Sequence, residues 1–287
     1  MNRKLSILLL GMLPLLFLGS CGVNSYLNNF KSAQQAFNRA ATLSNQTMAD
    51  PELAFTHSPT GEYQTARLYS MYAMGESSPN DRKAKHDKTD LAKDGLLLTA
   101  YNIRAMSEWK LGMYSEALAT ARACRLSFEN DPSVREQRDY IVMKVMEALV
   151  YNDSIQVYID RMERDQAKKE PSNTEMKYLG LLGTSMDIVK EQRGRLAEDH
   201  PIQRYLCITQ LSIAKNWKDL VSVLKRQMKL ERSPKLSSYR NRWKEERQSI
   251  NKALQGVLAD FAQLLENGKE NALYQRWKKV HVNVPNK

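Results

Sequence analysis

The stretch "KLGMYSEALATARACRL" (Lys110–Leu126) decides the fold. Gly112 closes a helical run, because glycine is the residue that most readily ends a helix in the left-handed conformation. Tyr114 follows two residues later, and Ala117, Ala121 and Cys124 then recur at spacings of four and three. That spacing puts the small residues on one helical face, where a second helix can approach closely. The segment before the glycine, "LLLTAYNIRAMSEW" (Leu96–Trp109), is apolar on more than one face. A helix packed between several neighbours has that pattern. The local reading is two helices turned back on each other at Gly112.

Outward from this hairpin, helical spacing persists. Val142, Val145, Met146 and Leu149 fall on one face, as do Ile250, Leu254, Val257, Leu258, Phe261, Leu264 and Leu265. Glycine (12) and proline (9) are scarce, and β-branched alternation is rare. Breaks come at Ala49–Glu62, Gly75–Lys83, Asn130–Ser133, Lys168–Asn173, Asp199–Pro201 and Arg232–Lys235, intervals that suit helical hairpins. Asp131 before Pro132 reads as an N-cap with proline at the first helical position. "NDRKAKHDKTD" (Asn80–Asp90) mixes charges of both signs and reads as a solvated loop. The expected fold is all-α, a stack of helical hairpins with roughly ten to twelve helices and essentially no sheet. "VHVNVPNK" (Val280–Lys287) alternates briefly, and as a lone tail it is expected to fray.

The turn and second helix of Lys110–Leu126 resemble the tetratricopeptide repeat, in which a glycine ends the first helix, an aromatic starts the second and small residues let the pair close. A second fragment, "FKSAQQAFNRAATL" (Phe30–Leu43), repeats the spacing as Phe30, Ala33, Phe37 and Ala40. A third, "NWKDLVSVLKRQ" (Asn216–Gln227), gives Trp217, Leu220 and Leu224, with leucine where the repeat has a small residue. The repeat unit is about 34 residues. Tyr114 and Trp217 stand close to three units apart, whereas Phe30 and Tyr114 are not at a multiple. The resemblance implies a tetratricopeptide-like solenoid.

The chain opens "MNRKLSILLLGMLPLLFLGSC", with Arg3 and Lys4 before an apolar run, Leu5–Leu18, and then the small residues Gly19 and Ser20. This is the layout of a secretory signal. The run is shorter than the roughly 20 residues a spanning helix needs. Leu18-Gly19-Ser20-Cys21 resembles the bacterial lipobox. That resemblance implies cleavage before Cys21, with covalent diacylglyceryl and acyl groups on the new N-terminus and no other cofactor. In that family an Asp at the next position marks inner-membrane retention, so Gly22 favours the outer membrane, facing the periplasm. The expected organisation is a signal peptide over 1–20, a short lipid-anchored tether over 21–29 and a helical-repeat domain over 30–267. That domain leaves room for a sub-boundary near 168–173. A C-terminal helix and frayed tail occupy 268–287.

The net charge of +11 falls to +9 once Arg3 and Lys4 are removed. Such an excess calls for an anionic partner. Export argues against nucleic acid and favours anionic headgroups, cell-wall polymer or an acidic protein face. Lys215–Lys252 holds twelve Lys and Arg against four acidic residues. Its candidate docking residues are Lys225, Arg226, Lys229, Arg240, Arg242, Lys244 and Arg247; a solvated helix face is the alternative. Cys124 and Cys207 both sit in helix-like surroundings, where a disulfide or two buried thiols would each fit.

No catalytic or metal-binding constellation is visible. His57, His86, His200 and His281 lie in loops or tails and share no ligand spacing. There is no nucleophile elbow, and "GLLGTS" (Gly180–Ser185) lacks the lysine of a phosphate loop and reads as a helix bend. "HSPTGEY" (His57–Tyr63) reads as a loop capping the next helix through Ser58 or Thr60. Tyr63, Tyr69, Tyr72, Met71 and Met74 read as core, and Trp243 and Trp277 fit core or binding surface equally. Three functions are expected in order: a non-catalytic lipid-anchored scaffold binding an envelope protein or peptide, for which the resemblance implies an assembly or secretion role; an electrostatic docking protein for anionic membrane or cell-wall polymer; and an envelope hydrolase with a site gathered from distant residues.

Overall fold

A computed structural model describes residues 25–49, 58–76, 84–162, 172–229 and 236–282. Among these there are ten α-helices and no strand. They are α1 (Ser25–Ala49), α2 (Thr60–Ala73), α3 (Ala84–Lys93), α4 (Leu97–Lys110), α5 (Tyr114–Ser127), α6 (Arg138–Met162), α7 (Asn173–Gly194), α8 (Gln203–Lys229), α9 (Leu236–Gln263) and α10 (Ala272–Val282). The chain divides into two compact units between Ser127 and Phe128. The break at Lys168–Asn173 is not such a division. The helices on its two sides, α6 and α7, pack directly on each other within the second unit.

In the first unit, three helices end in the same way. Gly75, Gly95 and Gly112 follow α2, α3 and α4 with φ of 72°, 70° and 73°. At each, the glycine N–H bonds back to the second-last helical turn residue and the next N–H reaches one carbonyl further. At α4 these bonds are Gly112 N–H to Trp109 O and Met113 N–H to Glu108 O. This is the Schellman arrangement, and it satisfies carbonyls that would otherwise lack partners. The left-handed backbone explains the glycine, since a Cβ is disfavoured there.

Small residues set the hairpin spacing. Ala33, Ala36 and Ala40 of α1 are fully buried, as are Ala66, Ser70 and Ala73 of α2, the helix against which α1 packs. Phe37 stands at the hairpin edge, its ring edge-on to Tyr63 at 5.9 Å. On α5 the buried residues are Ala117, Thr120, Ala121 and Cys124, and α5 packs on α4. α4 also packs against α1, α2 and α3, which is why Leu97, Leu98, Ala100, Tyr101, Ile103, Ala105 and Trp109 can all be buried on one short helix.

The segment Asn80–Asp90 is not wholly a loop. From Ala84 onward it forms α3, held by Leu91, which is fully buried, and by the Gly95 turn. One buried leucine among five charged residues left the amphipathic signal faint. Asp131 does cap a helical turn, accepting the Ser133 N–H at 2.9 Å. That turn is a single 3-10 turn, Pro132–Val134, and α6 starts only at Arg138. At α2, Ser58 Oγ accepts the Thr60 N–H at 3.3 Å.

In the second unit, α6, α7, α8 and α9 pack in sequence, each on the next, and α6 also touches α8. Val142, Val145, Met146 and Leu149 are buried, as are Ile250, Leu254, Val257, Leu258, Phe261 and Leu265; Leu264 is half-buried. The fragment Asn216–Gln227 is not a turn and second helix. It lies in the middle of α8, which runs unbroken over 27 residues. Leu220 and Leu224 are buried there as ordinary core residues. Asn216 bonds the Asn152 carbonyl oxygen at 3.0 Å and the Asn152 side chain at 2.9 Å, which locks α8 to α6 where the repeat would require a chain reversal.

Candidate functional site

Cys21 lies outside the described residues, so the candidate surface is the helical body. Gly180–Ser185 is no phosphate loop but part of α7, and a Cβ at Gly183 would lie in ordinary contact with the Trp217 ring, at 3.7 Å. Trp217 also donates its indole N–H to Glu246 Oε2 at 3.0 Å, joining α8 to α9. Arg193 joins three helices. From α7 it donates to Gln203 and Gln210 of α8, at 3.3 and 2.7 Å, and to Asp260 of α9 at 3.1 Å.

The first unit has its own buried ionic cluster. Glu108 of α4 is fully buried. Its Oε1 accepts from Arg67 Nε of α2 at 3.3 Å and from Arg104 Nε at 3.0 Å, and its Oε2 accepts from the Thr120 hydroxyl of α5 at 2.7 Å. Arg104 also pairs with Glu76. Burial opposes the Arg104 charge, and the Glu108 and Glu76 carboxylates outweigh it, so its pKa is raised. Both Glu108 oxygens are occupied and two guanidiniums face the group. It is a structural clasp for three helices.

The two described thiols lie in the core. Cys124 and Cys207 are buried and free of any disulfide, one in each unit. Burial pushes the Cys207 thiol up to about 11, slightly eased by Arg193 and strengthened by Asp260. A reactive cysteine needs the opposite shift. His200 is tied into the turn before α8. Its Nε2–H donates to the Glu136 carbonyl oxygen at 2.9 Å, and its Nδ1 accepts the Ile202 N–H at 3.3 Å. Both ring nitrogens are used. The side chains of His57, His86 and His281 lie outside the described residues. Among the described residues no group of His, Cys, Asp and Glu could hold a metal ion, and no helix is long and apolar enough to cross a membrane.

The aromatics divide. Tyr63 and Met74 are buried; Tyr69, Met71 and Tyr72 are half-buried, with Tyr69 and Tyr72 edge-on at 6.1 Å. Trp243 is buried and stacks on Tyr239 at 6.1 Å, while Trp277 is half-buried.

The basic stretch is spread over the C-terminal half of α8 and the N-terminal half of α9. Lys225, Arg226, Arg242, Lys244 and Arg247 are exposed; the side chains of Lys229 and Arg240 lie outside the described residues. Arg242 turns towards Glu246 at 4.0 Å, one side of the hairpin, whereas Lys244 and Arg247 lie on the other. Lys218 of α8 belongs with them. Sequence reasoning did not single it out as a docking residue, because only the packing of α8 on α9 brings it within electrostatic reach of Arg247. Arg67, Arg104 and Glu108 were missed for a similar reason, although a carboxylate inside the apolar run Leu96–Trp109 is a signal in itself.

No protein-family model matches the chain, and no curated protein or solved structure matches it.

Proposed function

We propose that the protein is a lipid-anchored component of the bacterial cell envelope, held by acyl groups on Cys21, whose helical hairpins form a tetratricopeptide-like array that binds an envelope protein or peptide. The observation that carries the array is the α4–α5 hairpin. A Schellman glycine at 112 reverses the chain, and Ala117, Ala121 and Cys124 form the buried face of the second helix. The anchor rests on the lipobox residues Leu18–Cys21 behind an apolar run. Several lipid chains hold a protein where one does not, since each buried CH₂ contributes about 0.8 kcal/mol. Function is non-catalytic in this reading, supported by groups such as Glu108, Cys207 and His200 being engaged structurally.

Two measurements test it. Metabolic labelling with a fatty-acid probe should mark the protein, and Cys21→Ser should abolish the label and release the chain from membranes; retained label or unchanged processing removes the anchor. Cross-linking in intact cells should recover a reproducible envelope partner, and the recovery should fall when Ala117→Leu or Ala121→Leu disrupts the hairpin. Recovery of monomer alone counts against the binding array.

A further inference from the structure

Side-chain contacts define one end of the first unit. Near the start of α4, the Tyr101 hydroxyl is hydrogen-bonded to the Ser127 hydroxyl, at the end of α5, at 3.3 Å; further along α4, Glu108 meets Thr120. The two helices therefore run antiparallel, with the first turns of α4 beside the last turn of α5. Arg67, in the middle of α2, bonds Glu108, whereas Glu76, past the end of α2, pairs with Arg104. α2 thus finishes towards the start of α4 as well. Tyr26, in the first turn of α1, donates to Asp94 Oδ2 at 2.8 Å, just ahead of α4. The start of α1, the Gly75 and Gly95 turns and the end of α5 share this end, and the Gly112 turn lies at the other.

That end carries the most exposed large apolar side chain among the described residues. Leu126 is 66 % exposed, against 43 % for Leu68 and Val157. It stands two residues past the buried Cys124, on the side of α5 turned away from α4. Arg122, exposed, lies one turn before it on the same face, and Arg125, half-buried, lies beside it. Among the described residues neither guanidinium is held in an ion pair. The described carboxylates at this end of the unit are engaged: Asp94 by Tyr26, Asp90 by Lys93 and Glu76 by Arg104. An apolar tip flanked by arginines suits an anionic bilayer. The leucine can enter the boundary between headgroups and acyl chains while the guanidiniums stay at the phosphates.

The chain ahead of α1 points to the same occupant. Cys21 and Ser25 can stand no more than about 14 Å apart, so acyl groups on Cys21 would hold this end of the unit at the lipid surface. The Tyr114 end of α5 lies about 20 Å further along the helix. We infer that the end of the first unit where α1 starts and α5 finishes rests on an anionic phospholipid bilayer, with Leu126 in the headgroup layer and Arg122 and Arg125 at its phosphates. The choice of a bilayer rests on the lipid-anchored reading, through the shortness of the tether; the exposure of Leu126 and the shared end do not.

The test supplies the anchor chemically. Residues 21–287, which include every described helix, are coupled through Cys21 to a maleimide phospholipid in vesicles of phosphatidylglycerol and phosphatidylcholine; Cys124 and Cys207 are buried. The photo-reactive residue benzoylphenylalanine replaces Leu126 or, as a control at the far end of α5, the exposed Ser115. On irradiation the probe at 126 should gain the mass of a phospholipid, and the probe at 115 should gain almost none. Arg122→Gln with Arg125→Gln should lower the adduct at 126 by up to about 25-fold, fivefold for each cation, and added salt should lower it too. If the 126 variant fails to fold by circular dichroism, the exposed Ala123, one turn earlier, takes the probe with the same expectation. The inference is overturned by no lipid adduct at this end of α5, by equal adducts at 126 and 115, by an adduct that the arginine pair leaves unchanged, or by an adduct with the mass of a second copy of the chain in place of a phospholipid. None of these outcomes bears on acylation of Cys21 in cells, which the fatty-acid label reads separately.

Discussion

Glu108 shows how much one side chain can organise. It is fully buried, and Arg67, Arg104 and Thr120 reach it from α2, α4 and α5. Removing one partner of a buried ion pair leaves the others uncompensated, at a cost of about 3–5 kcal/mol. Glu108→Ala should therefore lower the urea midpoint of the first unit strongly, and Thr120→Val should cost about 1 kcal/mol. Equal, small effects from the two variants would show that the clasp contributes little. The carboxylate's partners could not be read along the chain. Arg67 and Thr120 stand 41 and 12 residues from Glu108, and only the fold brings them to it. Cys124 and Ala121 were legible because their partners lie in the hairpin of which they are part.

At the level of elements, the glycine turns were the clearest signal, and the sequence singled out only one of three. Gly112→Ala forces a left-handed alanine at φ 73° and should destabilise by roughly 1–2 kcal/mol. Gly180→Ala, inside α7 with open space around its Cβ position, should instead stabilise by up to about 1 kcal/mol. Chemical denaturation of the two single variants checks both signs; two losses would mean that the turn conformation is not what Gly112 supplies. The fragment at Trp217 misled for a physical reason. Apolar residues at intervals of three and four mark any buried helical face, so without a preceding glycine they cannot distinguish a second hairpin helix from the middle of a long one. α3 was hidden by its charges. The basic stretch was legible as a count of cations, but which flank they occupy depends on the register of α8 against α9, set by the Trp217–Glu246 bond.

At the scale of the molecule, the two units differ in how they should respond to alkali. In the second unit burial raises Cys207 from an ordinary 9.0 to about 11, and burial with the Glu175 bond raises Tyr158 from 10.0 to about 12. Tyr205 is raised too, chiefly by burial. Each group stays protonated in the folded chain at pH values where the unfolded chain has released its proton. Stability is then fully present below about pH 9 and is lost as pH rises through the folded values. The urea midpoint of the second unit should fall between about pH 9 and 12, and Tyr158→Phe with Cys207→Ala should flatten that fall; a slope unchanged by the pair assigns it to other groups. Acylation of Cys21, as proposed above, would set a second constraint. α1 begins at Ser25, and the residues from Cys21 to Ser25 reach no more than about 14 Å when fully extended. The start of α1 would lie that close to the lipid headgroups.

Helical-hairpin proteins are often treated as beads that can be cut out, duplicated or exchanged. The Glu108 clasp forbids that here. Excising α4 and α5 as a bead would strand a buried carboxylate without Arg67 and leave α2 with a guanidinium cut off from its counter-charge. The first unit can be transplanted or inherited only as a block from α1 through α5, and amide exchange should find α2, α4 and α5 opening together.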